Sequence, residues 1–413
     1  MESKLFTPFK LGPIELRNRT IRAAAFESMG KDFGPTQQLL DYHASVARGG
    51  IGMTTLAYAA VNRSGISFNS QLWLRDEILH RKGDIPGLID ITDAIHKEGA
   101  AASIQMGHCG NMSHYFTAGC MPVGPSYGFN LYSPTFVRGL RKSELPGIAK
   151  DFGKAVEVAH NAGFDAVEVH VGHGYLISQF LCPAINHRHD EFGGSLQNRM
   201  RFMNMCLDEC VEMGAKYGMA ITVKHNMEDG FKGGIEIDES IEIAKEIERR
   251  GVNGMTLSAG FVSKAPMAVM RGKIPTKTMA YYMPLKSLPQ KIVISLLGDW
   301  MIKTWPYEEC FFLDMAKRFR KELTMPLIYV GGLVSRQGIE RVLDEGFELV
   351  QMARALVNDP DFVNKLREGD INTRSGCDHR LYCVARMYSD KMVCCHNCKD
   401  IPEKLWKEMN KIK

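Results

Sequence analysis

Eight short apolar runs, each followed by a stretch with helical periodicity, recur along this 413-residue chain. The strand-like runs cover 20–25, 52–57, 100–105, 166–170, 220–226, 254–257, 326–330 and 348–352. Helical patterns fall at 37–48, 85–98, 145–162, 198–217, 237–250, 308–322, 335–345 and 360–366. A helix after each strand returns the chain to the same edge, so the strands must run parallel. Eight such units over roughly 350 residues predict a closed (β/α)8 TIM barrel rather than an open sheet. The sequence has no strand-linked G-x-G-x-x-G run, which argues against a dinucleotide-binding Rossmann domain.

Two connections, 106–144 and 259–307, exceed ordinary βα loops. Both leave the C-terminal ends of strands, where barrel enzymes keep their sites. The second equally suits an excursion packed on the barrel flank or a dimer contact. The expected architecture is an α/β barrel with long βα loop insertions over 1–370, then a Cys-rich C-terminal extension over 371–413 that ends in a charged helix.

Charge narrows the partners. The 51 Lys and Arg nearly balance 47 Asp and Glu, for a net +4, and no long basic run or basic amphipathic face stands out. Nucleic acid and membrane are therefore not expected partners. The first twelve residues lack an apolar signal core, and the apolar run 292–297 is far too short to span a bilayer, so a soluble, cytoplasmic protein is expected. Of eleven cysteines, five (Cys377, Cys383, Cys394, Cys395 and Cys398) crowd into the extension. That clustering favours reduced thiols over a disulfide framework, with any metal or iron–sulfur question confined to the tail.

Side-chain parity picks out the chemistry. Val167, Val169 and Val171 share one face, so Glu168 and His170 point the other way, into the barrel. The run H-V-G-H-G-Y-L at 170–176 then gathers His170, His173 and Tyr175 at that strand's C-terminal end. Two imidazoles and a phenol suit substrate binding and proton transfer. A pair of satisfied core histidines accounts for the same residues. The same parity turns Gln105 and Lys224 inward, and a buried lysine needs an acidic side chain or an anionic ligand. Gly331-Gly332 after the seventh strand and Arg354 after the eighth stand at the usual phosphate corner of this fold.

Together, N-R-T-I-R-A-A at 18–24, Q-M-G-H at 105–108, H-x-x-H-G-Y-L-x-x-Q-F-L at 170–181, F-G-G-S-L-x-N-R at 192–199, Gly331-Gly332 and Arg354 resemble the old yellow enzyme family of NADH:flavin oxidoreductases. Within that family the chain resembles the branch of the barrel domain of bacterial 2,4-dienoyl-CoA reductases. The resemblance implies non-covalent FMN across the C-terminal mouth. It puts the backbone around Ala24 and Ala25 near the ring, Gln105 at the pyrimidine edge and Lys224 at the N1/O2 side. Gly331, Gly332 and Arg354 would hold the phosphate. A fixed cation at N1/O2 favours the reduced ring, which carries more negative charge. His170 and His173 are implied to bind the carbonyl oxygen of an activated alkene, and Tyr175 to protonate it.

The implied activity is that of an FMN-dependent ene-reductase acting on a small α,β-unsaturated carbonyl compound, with NAD(P)H or an electron-transfer partner as reductant. A flavin dehydrogenase or amine-oxidising relative on the same fold, and a flavin electron-transfer or redox-sensing subunit, stay open, as does homo-oligomerisation. Two positions depart from the family. Phe26 stands where relatives commonly carry Thr or Cys near the flavin C4 oxygen. In the tail, Cys377, Cys383 and Cys394 or Cys395 match ligand positions of a [4Fe-4S] cluster, but Arg380 occupies the second. A cluster, a zinc site and free thiols are all open there.

Overall fold

The computed structural model describes residues 3–130, 135–283, 288–387 and 391–412. Eight parallel strands close on themselves: β1 (Thr20–Arg22), β2 (Met53–Ala60), β3 (Ala101–Gly107), β4 (Ala166–His170), β5 (Ala220–Asn226), β6 (Gly254–Ser258), β7 (Leu327–Val330) and β8 (Leu349–Met352), with β8 pairing back to β1. The TIM barrel expected from the alternation is the observed fold. Strand ends move: β2 runs on to Ala60 and β6 to Ser258, while β1 stops at Arg22.

The helices between strands bury one stripe each. In Ile237–Arg249, Ser240, Ile241, Ala244 and Ile247 face inward at helical spacing. The helix expected from 308 begins only at Leu313, because Cys310 takes a left-handed φ of 61°. Glu309 beside it serves elsewhere: its carboxylate accepts the Val334 and Ser335 amides at 3.0 and 2.8 Å, at the start of helix Arg336–Asp344.

A hairpin of Phe9–Leu11 and Ile14–Leu16 plugs the N-terminal end of the barrel. Leu11 and Leu16 are fully buried against Ile21, Met53, Ala166, Ala220, Ile328 and Leu349 near the strand starts. With that end apolar, the polar inward residues collect at the other. The connection after β6 is helical rather than a loop, with Pro266–Met270, Thr276–Tyr282 and Leu288–Met301. The C-terminal extension packs on it: Tyr382, Ile401, Leu405 and Met409 share one apolar cluster with Met267 and Ile274. Among the described residues no helix is long and apolar enough to cross a membrane.

Candidate active site

Strand register builds the site from beneath. It sets Glu168 of β4 beside Gln105 of β3, and His170 beside Lys224 of β5. Glu168 Oε1 accepts from Lys224 Nζ at 2.8 Å and Gln105 Nε2 at 2.7 Å; Oε2 accepts from Thr256 Oγ1 at 2.9 Å and Gln351 Nε2 at 3.0 Å. The partner required by Lys224 is thus an acidic side chain two residues before His170. Burial by itself would raise the Glu168 carboxyl, but Lys224 and the neutral donors outweigh it and hold it below the ordinary carboxylate value. A buried charge pair is tolerable when its remaining lone pairs are satisfied in this way.

A cavity of about 220 Å³ lies over this layer. Its lining includes Ala24, Ala25, Gln105, Lys224, Gly331, Gly332 and Arg354, together with His170, His173 and Tyr175. Every residue expected to serve cofactor or substrate therefore meets in one place. The Tyr175 ring centroid stands 4.3 Å from that of His170 and 4.8 Å from that of Tyr58, and the two histidine rings are 4.9 Å apart. His173 gets there through a left-handed φ of 57°, a strained conformation for a non-glycine residue. Its N–H donates to Asn226 Oδ1 at 2.9 Å, and its Nε2 lies 2.7 Å from Ser258 Oγ. His170 Nδ1 is buried with no hydrogen-bond partner among the described residues. Burial lowers both imidazoles, helped by Lys224, and brings His173 to about 3. Both rings are neutral at pH 7. His108, from the same family stretch, is a satisfied core histidine: Ser64 Oγ lies 2.9 Å from Nε2, and the Gly110 amide donates to Nδ1 at 2.9 Å.

These neutral rings fix a pH dependence. Burial brings His108 and His173 to about 3 and His225 to about 4, against about 6.5 for an exposed histidine. The folded values lie below the unfolded one, so the unfolded chain binds more protons below pH 6.5. Their contribution is complete above about pH 6.5 and lost progressively as pH falls through the folded values of about 3 to 4, on the order of 2 kcal/mol per residue at pH 5. The urea midpoint should therefore drop steeply between pH 6.5 and 4.5. A flat midpoint over that range would mean that water reaches these rings.

Sequence reading missed several neighbours. The hydroxyl of Tyr58 bonds to Cys109 Sγ and to Tyr175. Tyr58 and Ser258 lie one residue past the ends of the apolar runs at 52–57 and 254–257, within strands that continue to Ala60 and Ser258. Alternation turns Glu168 inward, but only the structure shows it to be the carboxylate that pairs with Lys224. Arg22, fully buried, donates to Thr55 O at 2.7 Å and Ala25 O at 3.0 Å and pairs with Glu27 at 2.5 Å. That pair anchors the loop carrying Ala24, Ala25 and Phe26. Phe26 faces the cavity and stacks on Phe68 at 5.6 Å.

At the phosphate corner, Gly331 and Gly332 adopt φ of 148° and 77°, and a Cβ on Gly332 would sit 2.8 Å from the Phe311 ring. Nearby, Arg354 Nη1 is buried without a partner among the described residues. Bare backbone beside an unsatisfied guanidinium is a donor set for an anion, and it fits the FMN phosphate.

The extension reaches the same cavity through His379, Cys383, Val384, Met387 and Met392. Cys377, Cys383, Cys394 and Cys395 are free thiols, the last three buried. No three of their sulfurs lie within 4.8 Å of one another, too far apart for tetrahedral zinc with its Zn–S bonds of about 2.3 Å. Asp378, Cys395 and His396 do converge within that distance, but Arg380 Nε sits 2.5 Å from Asp378 Oδ2, a cation where an ion would go.

Fold and site define a flavin oxidoreductase on a (β/α)8 barrel. Residues 4–262 match the NADH:flavin oxidoreductase / NADH oxidase family, and the chain belongs to it. It is 38% identical over 389 residues to a 4,4'-dithiodibutanoate disulfide reductase from Rhodococcus erythropolis, covering 93% of each. It is 28% identical to an NADH oxidase from Thermoanaerobacter brockii, over 90% of this chain but only 52% of that one, so it spans about half of that relative's length. The fold matches an old yellow enzyme homologue from Zymomonas mobilis with a TM-score of 0.70 at 21% identity, over 97% of this chain and 99% of that one. The protein is an NAD(P)H:flavin oxidoreductase that uses FMN.

Proposed function

We propose that the protein is an ene-reductase acting on the C=C of an α,β-unsaturated carbonyl compound. The observation that carries this reading is the convergence of His170, His173 and Tyr175 in one cavity above Gln105 and Lys224. The backbone at Ala24 and Ala25, with Gln105, Lys224, Gly331, Gly332 and Arg354, would hold FMN. When bound, FMN supplies the hydride, itself derived from NAD(P)H or an electron-transfer partner. His170 and His173, both neutral, hold the carbonyl oxygen through ring N–H groups, which draws electron density from the β-carbon. The Tyr175 hydroxyl delivers the proton to the α-carbon. Tyr58, bonded to Tyr175, fixes the direction of that phenol.

In this reading the barrel of 1–370 carries both half-reactions, and the extension of 371–413 keeps its thiols free and walls one side of the cavity, with Cys383 in its lining. Ligation of a [4Fe-4S] cluster by Cys377, Cys383, Cys394 and Cys395 is the competing reading, and Arg380 opposes it. Anaerobically purified protein should release about one FMN per chain on denaturation. Recovery of FAD would overturn the cofactor assignment, and about four irons with matching sulfide per chain would overturn the free-thiol reading.

A second reaction at the same site, reduction of an organic disulfide, is favoured by the likeness to the Rhodococcus enzyme. NADH-driven turnover of 2-cyclohexenone and of 4,4'-dithiodibutanoate by the isolated protein separates the two. Reduction of the enone supports the proposal, and reduction of the disulfide alone moves the assignment.

A further inference from the structure

We propose that the excursion between β6 and β7 docks the protein on an anionic lipid surface. Helix Leu288–Met301 turns apolar rows outward: Ile292, Leu296 and Trp300 are 50, 77 and 84% exposed, and Val293, Leu297 and Met301 beside them 42, 49 and 56%. Spacing of four residues aligns each row along the helix. A different side of this helix packs against the chain. Gly298 is buried on Thr276, so close that a Cβ would lie 2.9 Å from the Thr276 side chain, and Asp299 Oδ1 accepts the Thr276 hydroxyl at 2.9 Å. Six contiguous large apolar side chains, one of them tryptophan, exceed the scattered exposure normal for a surface.

Charge selects the occupant. Between 261 and 305 the chain carries seven Lys and Arg against one acidic residue, Asp299, and Asp299 is paired with Lys273 at 3.1 Å. This stretch, at +6, exceeds the +4 of the whole chain, so the remainder is slightly acidic. Lys264, Lys277 and Lys303 are exposed, and Lys404 of the extension lies 4.8 Å from the Tyr281 ring. A second copy brought onto this face by a two-fold axis would set the positive stretch against itself. A neutral apolar partner would leave the lysines uncompensated. An anionic bilayer answers both features: the apolar rows and Trp300 enter the boundary between headgroups and acyl chains, and the ammonium groups meet lipid phosphates. No basic amphipathic face is visible in the linear sequence because most of these lysines come from flanking segments rather than from the helix. The excursion also lends Val262, Val269 and Met270 to the cavity wall, so the docking face and the cavity share one segment.

Flotation of the full-length, FMN-loaded protein with phosphatidylglycerol-rich vesicles tests this. Protein should rise with those vesicles, rise several-fold less with pure phosphatidylcholine, and detach at high salt. Leu296→Glu should lower the bound fraction by about tenfold and Lys277→Gln by about fivefold, both with NADH-driven turnover in solution unchanged. Protein that stays below every vesicle, or binds both lipids equally, overturns the proposal. So does a dimer in solution that Leu296→Glu converts to monomer, which would make the face an interface between copies.

Discussion

Tyr175→Phe should slow reduction of an enone by about 10²- to 10⁴-fold while NADH still bleaches the flavin at the wild-type rate. The substitution removes one oxygen and keeps the ring that packs 4.3 Å from His170 and 4.8 Å from Tyr58, so the pocket's shape is preserved. The neighbouring imidazoles cannot substitute as acids, because burial holds both neutral at pH 7. Burial raises the Tyr58 phenol well above its ordinary value and keeps it protonated, and its hydroxyl is engaged with Cys109. Stopped-flow measurement of the two half-reactions separates the effects. Equal slowing of both halves would make Tyr175 a cofactor-positioning residue, and no slowing of either would place the proton donor elsewhere.

Glu168→Leu should destabilise the barrel by about 3–5 kcal/mol, because it strands the Lys224 ammonium in a layer with no other carboxylate among its bonded partners. Gln105, Thr256 and Gln351 lose their common acceptor at the same time. Adding Lys224→Met removes the stranded charge and should recover most of the urea midpoint. FMN should still bind weakly to that double variant, since the lysine lines the cavity from below. A Glu168→Leu midpoint equal to wild type would mean that water reaches the centre of the barrel. Full FMN loading of the double variant would remove Lys224 from the cofactor site.

Much of this arrangement is legible along the chain, and the errors have a common origin. Period-two alternation turns Glu168, His170, Gln105 and Lys224 inward without reference to any neighbour. Apolar runs, however, do not mark where a strand stops. Tyr58 and Ser258 lie one residue past the expected ends of β2 and β6, at the barrel mouth where the chemistry sits. In the tail, cysteine spacing leaves a cluster, zinc and free thiols open, and it gives no sign that Arg380 pairs with Asp378 beside Cys395 and His396. The long connection after β6 was open between loop, flank and contact; its helices became evident only once packed on the extension.

The sequence by itself determined the barrel, the order of its strands and the inward side of β3, β4 and β5, because helical and strand periodicities are local properties of a few consecutive residues. Tertiary structure decided which inward residues become partners. Lys224 finds Glu168 through the β4–β5 register, Tyr58 meets Tyr175 across the barrel mouth, and Met392 joins the cavity after a return of the chain over more than three hundred residues to Glu27. Those distances follow from ring closure and from packing between segments remote in sequence, and no local pattern encodes them.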